Sequence, residues 1–203
     1  MTEISGQPVP KKQGNFDHIF YVLRANPVTL IAFGMFALLI FSAVFGPALV
    51  PYDPLATNAS IALQAPSWEH WFGTDNVGRD VFSRVIVATR LDLSISVAAV
   101  ALSFVVGSVL GCIAGYWGGW LDIVLNRFLD TIMAFPLFVL AMGIVAALGN
   151  TIENIIYATA IINMPFYARL VRAEVNIRRD AGFARAAKLA GNSDVRVLAM
   201  HIF

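Results

Sequence analysis

From Val28 to Val50 the chain runs 23 residues without one charged side chain. At 1.5 Å per helical residue this run reaches roughly 34 Å, enough to cross a hydrocarbon core of about 30 Å. It is longer than the apolar core of a signal peptide, and no small-residue cleavage site follows it, so it is expected to stay in the mature protein. Three more apolar runs follow at 94–116, 131–148 and 155–171. Backbone groups in lipid have no water to bond, so each run must satisfy its own amides as a helix. The fold class is therefore an all-α integral membrane protein.

Composition supports this reading and removes several others. The chain is 58% hydrophobic and 13% charged, against about a quarter charged in soluble domains; its mean hydropathy is +0.72. The net charge of +1 is unevenly spread, and no nucleic-acid partner is expected. Cys112 stands alone inside an apolar run, which excludes a disulfide framework or a cysteine metal site. His18, His70 and His201 share no ligand spacing, so no metal is expected. No Gly-x4-Gly-Lys-Ser/Thr pattern offers a phosphate cradle, and no cofactor is expected. Neither His nor Glu lies within the runs, which disfavours an intramembrane enzyme.

Taken in order, residues 1–27 read as a tail followed by an interfacial helix. Phe16, Ile19, Phe20, Val22 and Leu23 lie there beside Asp17, His18 and Arg24. Residues 28–50 are the first span. Pro51 and Pro54 open a more polar loop, 51–93, carrying Trp68 and Trp71. Within it Thr74 or Asp75 is expected to cap an amphipathic helix with Asp80 in its first turn and Val81, Phe82, Val85 and Ile86 on one face.

The second span, 94–116, carries Gly107, Gly111 and Gly115 at four-residue spacing, a smooth ridge where another helix can approach. Trp117 and Trp120 mark an interface turn. Arg127 and Asp130 can pair at the entrance to the third span, 131–148, which Pro136 is expected to kink. The fourth span, 155–171, is the most polar of the four. Its Asn163 should face protein or a water-filled path, and Asn163 and Pro165 are candidates for lining a solute path; hydrogen bonding between helices is the alternative.

Half of the fourteen Lys and Arg residues follow position 168. Within that segment Gly191 reads as a helix stop, and Asn192, Ser193 and Asp194 as a turn and an N-cap for the next helix. Such a basic helix–turn–helix suits a cytoplasmic partner or an anionic lipid surface. The positive-inside rule then puts both ends of the chain in the cytoplasm and the 51–93 loop outside.

Three motifs add a resemblance. Ala186 and Ala187, Gly191 four residues on and Ile202 eleven beyond it resemble the "EAA" loop of binding-protein-dependent ABC transporter permeases. The usual Glu is Arg185 here, and the Leu-Pro that usually follows the Ile is absent before the sequence ends at Phe203. His70, Gly73, Thr74, Asp75, Gly78, Arg79, Asp80, Ser83 and Arg84 resemble a signature of the branch that imports dipeptides, oligopeptides, nickel chelates or glutathione. Asn126, Arg127, Asp130, Met133, Phe135 and Pro136 are similar to the same branch.

The resemblance implies a type I ABC importer permease fold with four of the usual six transmembrane helices present, in 94–203 a permease core that ends in the coupling loop 178–203. By the same resemblance the chain is a permease subunit of the bacterial inner membrane, not an enzyme. Its expected partners are a second permease subunit, two cytoplasmic ATPase subunits and an extracytoplasmic solute-binding protein. Coupling to the ATPase falls on Arg185, Ala186, Ala187, Gly191, Asp194 and Arg196. Absence of the last two spans also leaves room for a non-transporting scaffold or an inactive truncated remnant.

Overall fold

A computed structural model describes residues 26–202. The expected tail and interfacial helix lie, apart from Asn26 and Pro27, outside the described residues. The chain divides into two compact units, one ending at Leu91 and the other beginning at Asp92.

In the first unit, α1 (Pro27–Leu49) starts with proline at its first position, where the missing N–H would be unpaired anyway. It ends where Val50, which precedes Pro51, turns extended. Only Gly46 is buried along its whole length, and the remaining surface is apolar on every side, as a lipid-facing helix requires. Gly46 is buried because Ile86 lies against it: a methyl group there would come within 2.7 Å of the Ile86 side chain.

α2 (Val81–Trp117) is a single helix of 37 residues, which corrects the expectation of a separate amphipathic helix before a span at 94. Leu91, Asp92 and Leu93 contain neither glycine nor proline, so nothing interrupts the hydrogen-bond ladder there. Its start also differs from expectation. Asp80 is the cap, its Oδ2 accepting the Ser83 amide at 2.7 Å, while Thr74 and Asp75 are engaged within the loop.

Among the described residues, α1 and α2 are long and apolar enough to cross a membrane. The third expected span is broken. α3 (Gly119–Ala134) and α4 (Leu137–Leu148) meet at 95° across Phe135 and Pro136. Proline lacks an N–H and pushes the preceding residue out of helical geometry, and Phe135 is extended at φ −84°, ψ 141°. With 12 residues, α4 reaches roughly 18 Å and cannot cross alone; the bent pair together counts as a third candidate span. α5 (Ile152–Arg178) has ample length at 27 residues, but its polar side chains keep it out of the apolar set.

α3 and α4 both pack on α5. Asp122 makes a two-pronged ion pair with Arg172, and Asp130 meets Arg169 at 2.5 Å. The pairing expected between Arg127 and Asp130 is thus replaced by one that ties α3 to α5. Between these helices Leu129, Met164 and Ala168 are buried together, with Leu110 and Ile132 against them.

The glycine ridge of α2 is filled by α5. Methyl groups at Gly107, Gly111 and Gly115 would come within 2.7, 2.4 and 2.8 Å of the carbonyl oxygens of Met164, Ala168 and Arg172. Both series advance by four residues, so the ridge lies along the backbone of α5 rather than touching it at one point.

Candidate functional site

The final segment, on which the coupling expectation falls, is a helix–turn–helix. α6 (Gly182–Leu189) is followed by α7 (Asp194–Val197) and a wide turn, Leu198–Ile202. Gly191 adopts φ +83°. Its N–H bonds to the Lys188 carbonyl at 3.0 Å, and the Asn192 N–H reaches back to Ala187 at 3.2 Å. Those two bonds form a Schellman closure, in which the residue at positive φ is usually glycine. Ser193 then caps α7, its hydroxyl accepting the Arg196 amide at 3.4 Å, and Asp194 sits in the first turn, where the helix dipole favours an anion.

One side of this helix–turn–helix is anchored. Ala184, Ala187 and Val197 are buried with Tyr116, Val175 and Ile202. The other side is open: Arg185, Ala186, Gly191, Asp194 and Arg196 are exposed, as are Phe183, Leu189, Val195 and Met200, with Leu189 90% exposed. Of the expected coupling residues, Ala187 therefore belongs to the supporting core. Arg185 lies 3.8 Å from Asp180, a loose surface pairing.

Three contacts fix the anchored side to the end of α2. The Tyr116 hydroxyl donates to Asp194 Oδ1 at 2.7 Å. Lys188 Nζ lies 2.9 Å from the same oxygen and 5.0 Å from the centre of the Tyr116 ring. Arg179 Nη1 donates to the Gly115 carbonyl at 2.9 Å. The Asp194 interaction raises the Lys188 pKa, and Lys188 and Tyr116 lower that of Asp194, so both stay charged. Sequence reasoning missed Tyr116, Lys188 and Arg179; a tyrosine ending a span was the available signal.

The signature loop is a second constellation. Gly73 and Gly78 adopt φ +72° and +75°, and side chains there would strike the Gln64 and Asn58 carbonyls at 2.4 and 1.8 Å. Thr74 pairs with Asp80 in an antiparallel bridge; its hydroxyl donates to the Ile61 carbonyl and accepts the Gln64 amide at 2.9 Å. Asp75 Oδ1 accepts the Val77 and Arg79 amides at 3.0 Å each, and Oδ2 meets Arg79 and Arg84 at 2.7 Å. Burial opposes ionisation of Asp75, but its hydrogen bonds, chiefly from Arg79 and Val77, hold its pKa at about 2.

Asp80, the cap of α2, also meets His70 Nδ1 at 2.9 Å, and both side chains are buried. Burial again opposes the charge, while Ser83 and His70 bring the Asp80 pKa below the usual value. Ser83 is buried at the start of the helix. The signature residues thus hold one another, and the loop is a hydrogen-bonded clasp.

The candidate path residues are less open. Pro165 is almost fully buried, which removes it from any path surface in this chain. Asn163 is half-buried and donates to the Thr159 carbonyl of its own helix at 2.8 Å. No group of three or more His, Cys, Asp or Glu side chains among the described residues could hold a metal ion.

Comparison with known proteins places these features. Residues 107–203 match the family model described as "Binding-protein-dependent transport system inner membrane component". Residues 16–66 match "N-terminal TM domain of oligopeptide transport permease C". The chain is 38% identical over 206 residues to a dipeptide transport system permease protein of Alkalihalophilus pseudofirmus, covering 100% of this chain and 68% of the relative. It is 36% identical over 195 residues to a probable D,D-dipeptide transport system permease protein of Escherichia coli, covering 95% of this chain and 65% of the relative. A glutathione transport system permease protein of Pectobacterium atrosepticum is 36% identical over 174 residues, with 85% of this chain and 58% of the relative covered. The chain thus spans about three-fifths to two-thirds of the length of these relatives.

Proposed function

Because the chain belongs to the family of binding-protein-dependent transport system inner membrane components, we propose that it is a permease subunit of an ATP-driven importer of dipeptides, oligopeptides or a related small solute. It is a multi-pass protein of the inner membrane. The relatives are named as transport permeases rather than enzymes, and in this reading ATP is hydrolysed by separate subunits. The assembly comprises a second permease, two cytoplasmic ATPases and an extracytoplasmic solute-binding protein. Both ends of the chain are cytoplasmic and the signature loop faces outward, an orientation supported by the clustering of Lys and Arg after residue 168.

The observation that carries this reading is the 182–197 helix–turn–helix, anchored on one side and open on the other. Its exposed Phe183, Leu189 and Val195, flanked by Arg185 and Arg196, suit insertion into a groove on a soluble partner. Work enters as a difference in affinity of this segment for two states of the ATPase; a partner that bound both states equally would move nothing. The ion pairs from α3 to α5 and the ridge of α2 on the backbone of α5 would carry that difference into the membrane as a tilt of packed helices. Asn163 is the remaining candidate for the solute path.

Co-expression with the partner permease, ATPases and solute-binding protein tests the proposal. Co-purification of the ATPase and ATP-dependent uptake of a dipeptide such as dialanine are expected. Retention without uptake would favour a non-transporting scaffold.

A further inference from the structure

Tyr116 occupies the penultimate position of α2, and its hydroxyl, ring and backbone carbonyl each meet the segment that follows α5. Its hydroxyl donates to Asp194 of α7. Its ring lies under the ammonium group of Lys188, the last basic residue of α6. Its backbone carbonyl and that of Gly115 both accept from Arg179 Nη1, at 3.4 and 2.9 Å. The side chain is only 8% exposed, packed among Val175, Ala184, Ala187, Val197 and Ile202. One residue at the end of a long helix thus touches all three pieces of the helix–turn–helix and its approach.

These contacts differ in kind. The ring fills the core and would hold the segment in place by packing alone. The hydroxyl adds a direction. It fixes Asp194, which through Lys188 fixes the relative setting of α6 and α7. A hydrogen bond to a charged acceptor is stronger than one between neutral groups and more sensitive to geometry, so the Tyr116–Asp194 bond resists rotation of α7 against α2 where apolar packing would let it slip.

We propose that Tyr116 is a positioning residue that, through Asp194 and Lys188, makes the helix–turn–helix and α2 move as one body. This rests on the reading of the segment as the ATPase docking element and adds the route by which its displacement reaches the membrane. Without the latch the segment docks but turns on its anchor, and the stroke is lost before α2.

The test uses the assembled transporter in lipid vesicles, with the solute-binding protein and dialanine as solute. Tyr116→Phe removes the hydroxyl and keeps the ring. The expected result is unchanged membrane abundance, ATPase retention within twofold of the parent, and a several-fold fall in solute-stimulated ATP hydrolysis. Tyr116→Phe combined with Asp194→Ala should lose no more than the more damaging single change, because both remove one link. Full solute stimulation in Tyr116→Phe, or losses that simply add in the double variant, would overturn the latch while leaving docking intact. A parent chain that retains no ATPase would instead overturn the docking reading, and the latch with it.

Discussion

Gly111 of α2 lies against the carbonyl oxygen of Ala168 in α5 so closely that a methyl group on the glycine would come within 2.4 Å of that oxygen. No flexible side chain stands between them to give way, so any larger residue must push the two backbones apart. Gly111→Ala should therefore destabilise the packed helices by about 1–3 kcal/mol, the usual cost of overfilling a close contact. Cys112 is the chain's only cysteine and is partly buried. A thiol-reactive dye followed during heating in detergent should report the loss as a lower melting temperature. Gly34→Ala, with open space around it, should leave the melting temperature unchanged.

The Asp75 clasp should survive acid. Its pKa of about 2 lies below the ordinary 3.8, so its contribution is present above about 3.8 and disappears as pH falls through about 2. Trp68 and Trp71 lie in the same loop, and tryptophan emission should hold steady down to about pH 4 and change below it. Asp75→Asn should show loosened emission already at pH 7 and lack the acid step. An unchanged emission spectrum in that variant would count against the clasp.

Orientation can be tested from outside the cell. On a Cys112→Ser background, Ser67→Cys in the signature loop should react with a membrane-impermeant thiol reagent. Leu189→Cys, at a position of α6 that is 90% exposed, should react only after the membrane is opened. Labelling of Leu189→Cys in sealed cells would contradict the proposed topology.

Much of this architecture could be read from residue spacing, because apolar runs, glycine ridges and caps are local patterns. The stop at Gly191 and the cap after it are of that kind. What the sequence hid was the identity of partners. The glycine ridge announced a closely packed helix without saying which, and α5 of the same chain fills it. Arg127 was the nearest cation to Asp130 in sequence, but Arg169 reaches it across the fold. Pro136 was legible as a disturbance and not as a 95° turn, since the angle depends on how α4 packs on α5. Tyr116 was legible as a tyrosine ending a span, but its partner was not, because Asp194 is 78 positions away.

Whether the 182–197 segment docks an ATPase is decided by Gly191→Val. Nothing lies within 4 Å of where a side chain would point, so space is not the obstacle; the φ of +83° is. A β-branched residue there should cost roughly 1–2 kcal/mol in that turn and misaim α6 against α7 while the spans stay inserted. Pull-down of the ATPase from membranes is the measurement, with Gly191→Val set beside a variant in which Arg178, Arg179 and Arg185 are all replaced by Gln. Normal membrane abundance and clearly weakened ATPase retention are expected for Gly191→Val. Full retention in Gly191→Val, with loss of binding confined to the arginine variant, would contradict docking and mark the segment as a basic surface for anionic lipid.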